Sequence, residues 1–285
     1  VADPGRKGLL ARYSVEITAN DVGALSESAS LFPAGTRISV TFLPNEDTAA
    51  RVRAVRSVRE LGFVPVPHLP ARRFVSSLEL ESFLDDLAGE ARLDHCFVIA
   101  GDLDRPEGPY SDALSLIRTG LLEKYGVRHI GVAGYPEGHP KISKPSLQRA
   151  MWDKQRAARE RGMSLSIVTQ FGFEAAPVID WLRHMRADGM HRPVYIGVAG
   201  PARAQTLLRF AARCGVGTSA KVLSKYGVSL AHLLNTAGPD SVVTQLERSL
   251  EQGHFGDVYL HFFPFGGVRR TADWIHRFPG IRGSR

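Results

Sequence analysis

Short apolar, β-branched segments recur along the chain at 11–18 (ARYSVEIT), 37–44 (RISVTFLP), 64–70 (VPVPHLP), 95–102 (HCFVIAGD), 129–136 (HIGVAGYP), 165–171 (LSIVTQF), 193–200 (PVYIGVAG) and 258–265 (VYLHFFPF). Each has the length and residue types of a strand. Helical patterns lie between them: TAARVRAVRSVRELG with apolar Val52, Val55 and Val58, then SLELESFLDDLAGEARL, SDALSLIRTGLLEKYG, SLQRAMWDKQRAARERG and APVIDWLRHMRADG. Each ends near a Gly that can cap it. A strand-helix-strand unit repeated about every 30 residues requires crossover connections, and crossovers make the sheet parallel. Eight such units in 285 residues predict a closed (β/α)8 TIM barrel, an α/β fold, in preference to an open doubly wound sheet.

Only the interval between the seventh and eighth strands is longer, and it carries three helical patterns, RAQTLLRFAARCG, SAKVLSKYGVSLAHLLN and PDSVVTQLERSLEQG. These are expected as extra helices inserted into one domain, residues 1–285, with an ordered core at about 11–278. No Pro/Ser-rich linker interrupts the alternation.

The hydrophobic share of 44% and charged share of 23% exclude a disordered or fibrous chain. No apolar run has the roughly 18–20 residues of a membrane span, and the start, VADPGRKGLL, has no apolar core of a secretion signal. Cys96 and Cys214 are the only cysteines, too few for a disulfide framework, so a cytoplasmic protein without a membrane partner is expected. The 36 basic against 29 acidic residues leave a charge of +7, and 29 of the basic residues are Arg. They recur on helical stretches, as at Arg51, Arg53, Arg56 and Arg59, without the interleaved aromatics that stack bases, so they read as solvated helix faces and no nucleic-acid partner is expected. A positive field still favours a small polyanion.

Several motifs are absent. There is no GxGxxG, and in GVGTSAK (215–221) and the residue after it, Ala220 and Val222 stand where a phosphate loop needs Gly and Ser/Thr. No HExxH, GxSxG or His/Asp cluster at ligand spacing occurs, so neither a metal site nor serine-nucleophile chemistry is expected.

In a barrel of this kind chemistry sits at the C-terminal ends of the strands. There the sequence places Glu16 (strand one), Thr41 (two), His68 (three), Asp102 (four), Tyr135 and Glu137 (five), Gln170 (six) and His261 (eight). Any one of them could be a satisfied polar group or a helix cap, as Asp102 in particular could be.

Together with their neighbours these residues carry a resemblance. IGVAGYPEGHP (130–140) on the fifth strand, VPVPHL (64–69), AGD (100–102), TQF (169–171), Glu16 and LHFF (260–263), at the matching strands and across nearly the whole chain, resemble the methylenetetrahydrofolate reductase family. The resemblance implies FAD as cofactor, NADH or NADPH as co-substrate, and interconversion of 5,10-methylenetetrahydrofolate and 5-methyltetrahydrofolate by ping-pong hydride transfer. A homo-oligomer is compatible with it. Glu16 is similar to the family's acid, which protonates folate so that the methylene bridge opens. Inside a barrel mouth such a carboxyl is expected to have a raised pKa. Asp102 resembles the carboxylate beside flavin and pterin, and Gln170 the amide that bonds the pterin. Thr41 and His261 resemble positions near flavin ring and folate. His68, Tyr110, Ser111, Tyr135, His139 and Lys154 resemble flavin-contacting positions. For the basic residues, Lys141, Lys144 and Lys221 are candidates to meet the glutamate tail of folate.

The sequence also departs from the family pattern. Ala100 precedes Gly101-Asp102 where the family commonly has Arg, Glu16 is followed by Ile17-Thr18-Ala19, and Gln170-Phe171-Gly172-Phe173 lacks one aromatic. Two alternatives stay open on the residues alone: a flavin-free barrel for one-carbon or methyl transfer, and a non-catalytic folate-binding subunit.

Overall fold

A computed structural model of the chain describes residues 8–43, 46–214 and 236–279. Strands β1 (Tyr13–Ile17), β2 (Arg37–Val40), β3 (Val64–Pro70), β4 (His95–Ile99), β5 (His129–Gly134), β6 (Ser164–Thr169), β7 (Val194–Ala199) and β10 (Val258–Phe263) are parallel and close into a barrel in that order. At the closing seam Ser14 pairs with His261 and Val15 with Phe262. Alternation along β1 sends Val15 and Ile17 to the buried layer under the helices and turns Ser14 and Glu16 to the barrel interior, where Glu16 meets His68 of β3. The expected (β/α)8 fold is present.

The outer layer follows from helical spacing. Helix α1 (Val22–Glu27) is short; α2 (Thr48–Glu60) buries Val52, Val55 and Val58, and α3 (Ser77–Ala91) buries Leu80, Phe83, Leu84 and Leu87. Each such side chain contributes about 1.5–3 kcal/mol on full burial. Helix α2 stops before Gly62, which takes φ +83°, a conformation open to Gly without a Cβ clash. The expected Gly stop fails at α3, where Gly89 lies inside the helix and Arg92 adopts φ +50°. The single helix expected over SDALSLIRTGLLEKYG is two, α4 (Ala113–Ile117) and α5 (Leu121–Lys124). Gly120 turns left-handed between them, and Thr119 Oγ1 bonds Leu116 O and Leu121 N, which ends one helix and starts the next. Helix α6 (Lys144–Glu160) starts ahead of Ser146 because Ser143 caps it and Pro145 suits its first turn; α7 (Ala175–Ala187) packs Ile179 and Leu182 on the barrel.

Between β7 and β10 come β8 (Ala202–Arg203), α8 (Ala204–Cys214), β9 (Thr236–Ala237) and helix Asp240–Glu251, with β8 and β9 antiparallel. The expected helix SAKVLSKYGVSLAHLLN, the GVGTSAK segment and Lys221 lie outside the described residues. A last helix, Val268–Arg277, packs beside α1 and sets Trp274 against Phe262 of β10. Among the described residues no helix is long and apolar enough to cross a membrane. Strands β2 and β4 end at Val40 and Ile99, earlier than expected, which leaves Thr41 and Asp102 on loops above the barrel.

Candidate active site

Glu16 occupies the inner wall of the mouth. Its Oε2 lies 3.5 Å from His68 Nε2 and 3.6 Å from His261 Nε2, and His261 Nδ1 is 2.8 Å from Ser14 Oγ. Strand β10 pairs with β1 on one side and β3 lies beyond β2 on the other, so closure brings both imidazoles to one carboxyl. His68 leans on Phe97 with ring centres 4.7 Å apart, and burial pushes its pKa down to about 4 despite the neighbouring Glu16. The expectation for Glu16 is overturned. Burial does press its pKa upward, but His261, aimed at the carboxyl, and His68 beside it outweigh that and hold the pKa below the usual value. At neutral pH the site therefore holds a glutamate anion against a neutral His68.

The other strand-end residues follow their strands on the same, C-terminal side of the barrel. Thr41 follows β2, its N–H bonded to Ile17 O. Gln170 follows β6; its Oε1 accepts from Phe171 N at 3.1 Å, while Thr169 Oγ1 accepts from Gly197 N at 2.8 Å. Gly197 is required there, since a Cβ would stand 2.5 Å from Thr169 O. Asp102 is exposed and held by Arg73 through both carboxylate oxygens, at 2.9 and 3.1 Å from Nη2. The partner Arg73 was not among the sequence candidates; its position after β3 carries no local signal.

An aromatic wall also escaped the sequence reading. Phe171, Phe263 and Phe265 cluster with Phe210 of α8, the last pair stacked at 4.1 Å, and Phe263 packs edge-on to His261. The HFFPF run of 261–265 was the available signal.

Beside the mouth, between α4, α6 and α7, lies a cavity of about 1140 Å³ lined by Arg72, Asp112, Tyr135, Trp152, Lys154 and Trp181 among others. It is larger than an ordinary small-ligand pocket. Of the residues matched to flavin contacts it takes Tyr135 and Lys154; His68, Thr41, Asp102, Tyr110, Ser111 and His139 lie off its lining. Ser111 and Leu103 are tied by their carbonyls to Arg72 at 2.7 Å each, so the loops after β4 rest on the segment after β3. Tyr110 is buried, and His139 stacks edge-on to Tyr135 at 5.1 Å. Burial lowers the Lys154 pKa, with Asp112 opposing. A half-buried cation and an aromatic face in one cavity fit an anionic, ring-bearing cofactor such as a flavin nucleotide.

The sequence profile of the methylenetetrahydrofolate reductase family matches residues 20–264. The chain belongs to that family. Methylenetetrahydrofolate reductase 2 of Saccharomyces cerevisiae (strain ATCC 204508 / S288c) is 25% identical over 194 residues, 63% of this chain and 32% of the relative. The chain thus matches about a third of that relative's length. Among solved structures, dihydropteroate synthase from Thermus thermophilus is similar with a TM-score of 0.50 at 13% identity, covering 93% of this chain and 92% of that one, a likeness of fold. The methylenetetrahydrofolate reductase family consists of oxidoreductases acting on folate, and in this member Glu16, His68 and His261 come together, with Gln170 at the end of β6, while Asp102 stands at the rim on Arg73. Lys141 and Lys144 lie on the exposed loop and helix start beyond β5, Lys141 paired with Asp104 at 2.5 Å.

Proposed function

We propose that this chain is a flavin-dependent methylenetetrahydrofolate reductase that takes hydride from NADH or NADPH and delivers it to 5,10-methylenetetrahydrofolate in a ping-pong cycle, residues 1–285 forming one catalytic domain. The observation that carries this reading is Glu16, an ionisable carboxyl inside the mouth faced by two imidazoles. Binding of a flavin in the cavity beside α6 would supply a two-electron hydride carrier. Tyr135 offers its ring to that cofactor and Lys154 its charge. Gln170 presents a side-chain amide to the pterin. Glu16 gives a proton to the folate nitrogen so that the methylene bridge opens to an iminium ion able to accept hydride. Asp102, at the rim, steadies that cation. Because Glu16 rests as an anion, its proton has to be delivered to it once folate is in place, and His261, whose Nε2 lies 3.6 Å away without a hydrogen-bond partner and whose Nδ1 is bonded to Ser14, is the group to pass one on.

The purified protein should show flavin absorbance, or gain it on titration with FAD, and should oxidise NADH or NADPH with methylenetetrahydrofolate as acceptor. A colourless protein unaffected by FAD in spectrum and melting temperature would overturn the flavin part; absence of folate turnover in flavin-loaded protein would overturn the whole.

A further inference from the structure

The interior of such barrels is normally filled by layers of Val, Ile and Leu. Below Glu16 this one mixes hydroxyl and imidazole side chains with apolar ones. A cavity of about 20 Å³ is lined by Ser14, Arg37, Ser39, His129, Ser166 and Tyr195 among others. That volume admits one water, for which about 10–15 Å³ is needed; Val66, Phe97 and Val168 make most of the facing surface apolar, and the hydroxyls of Ser14 and Ser166 are among the polar groups in the lining. Above the cavity, Ser14 Oγ is 2.8 Å from His261 Nδ1, and His261 Nε2 faces Glu16 at 3.6 Å. Below it, His129 Nε2 is 2.9 Å from Ser166 Oγ and His129 Nδ1 is 2.8 Å from Ser164 Oγ, which is exposed at the N-terminal end of β6 and also lies 3.1 Å from Arg128 O as a donor.

We propose that this column, Ser164, His129, Ser166, a cavity water, Ser14 and His261, is a proton route from the barrel floor to Glu16, used while folate and cofactor fill the mouth. The inference rests on Glu16 as proton donor to folate. With folate in place the Glu16 anion takes a proton from His261 Nε2 and passes it to the folate nitrogen. His261 takes one at Nδ1 from Ser14, Ser14 from the water, the water from Ser166, Ser166 from His129 Nε2, and His129 at Nδ1 from Ser164, whose hydroxyl turns from Arg128 O to give it and is refilled by solvent. Each group gives one proton and receives one, so one proton moves inward and no oxidant or reductant is involved. Both imidazoles end in the other tautomer and reset between turnovers.

The surroundings of His129 suit passage over storage. Arg37, bonded to Tyr195 OH at 2.8 Å, and His95, with ring centres 5.1 Å away, face it, while Asp94 binds His95 and Arg59 at the floor. Burial, then Arg37 and His95, lower the His129 pKa to about 3 against the pull of Asp94, so the ring is neutral with one N–H and one acceptor, as a relay requires.

Ser166→Ala and His129→Leu in the full chain should slow the folate half-reaction at least about tenfold and enlarge its solvent deuterium isotope effect, while the step that consumes reduced nicotinamide keeps its rate. Ser166→Thr, which keeps the hydroxyl, should restore the folate step. An unchanged folate step, or equal loss in both half-reactions, overturns the route. A high-resolution crystal structure should show a water within hydrogen-bond reach of Ser14 and Ser166; a dry cavity overturns the route whatever the folate assay gives. A wild-type chain that never turns over folate overturns the reading of Glu16 instead, and the crystallographic arm separates the two.

Discussion

Ser14 Oγ and His261 Nδ1 lie 2.8 Å apart across the seam that closes the barrel, although 247 residues separate them in sequence. The bond fixes the ring of His261 so that its other nitrogen faces Glu16, the way an outer partner orients an active-site imidazole. Glu16 is therefore a carboxylate whose protonation is set by neighbours on two other strands.

Glu16→Gln keeps the shape of the side chain and removes its acid. The folate half-reaction should fall by ~10²–10⁴ with the nicotinamide half-reaction nearly intact, as read by stopped-flow absorbance. Equal losses in both would make Glu16 a structural residue.

Acid should destabilise the fold earlier than carboxylate protonation alone would. His68 and His129 have pKa values lowered to about 4 and about 3, so between pH ~6.5 and those values the unfolded chain binds protons that the folded chain refuses. Stability should fall through this window as pH drops, at up to ~1.4 kcal/mol per pH unit for each imidazole. The depressed pKa of Glu16 works in the same direction: its contribution is present above the ordinary carboxylate pKa and is lost as pH falls through the lower folded value. Melting temperatures from pH 7 to 4 would check this, and His129→Leu should flatten the profile; a flat wild-type profile would contradict it.

Gly197→Ala should cost about 2 kcal/mol or more and raise the folate KM. The added methyl would meet the backbone of Thr169, Gln170 and Phe171 at 2.5–2.8 Å, and backbone cannot step aside as a flexible side chain can. Chemical denaturation together with steady-state kinetics would read both effects. Normal stability would show that β6 and β7 have slack there.

Lys154→Met removes a charge from the flank of the large cavity. If that cavity holds the flavin, affinity for FAD should drop about tenfold or more, the size of a lost charged hydrogen bond, and Lys154→Arg should recover part of it. Fluorescence titration measures this; unaltered affinity would move the cofactor away from α6.

Asp102→Asn breaks an exposed pair with Arg73 and should change stability by less than about 1 kcal/mol. Folate turnover should fall and the flavin potential should rise, because a negative charge is lost and a guanidinium is freed beside the mouth. Potentiometry on folded variant decides it, and an unchanged potential returns Asp102 to a loop-tying role.

The barrel was legible in the sequence because it is a repeat of local patterns: period-two apolar strands, helices such as α2 with Val52, Val55 and Val58, and turns closed by Gly62. Each is set by interactions within a few residues. The same holds for the order of polar groups at strand ends, Glu16, His68, Gln170 and His261, since alternation in a strand fixes which residues turn inward. The ionisation of Glu16 was not legible. Burial alone predicts a raised pKa, and only the approach of His68 and His261 to one oxygen reverses the sign. Nor could sequence pair Asp102 with Arg73, stack Phe210 on Phe265, or join His129 to Ser166 beneath a small cavity. These depend on strand stagger and closure, which bring together residues distant in the chain at ångström precision, and electrostatic and hydrogen-bond energies change steeply over those last ångströms.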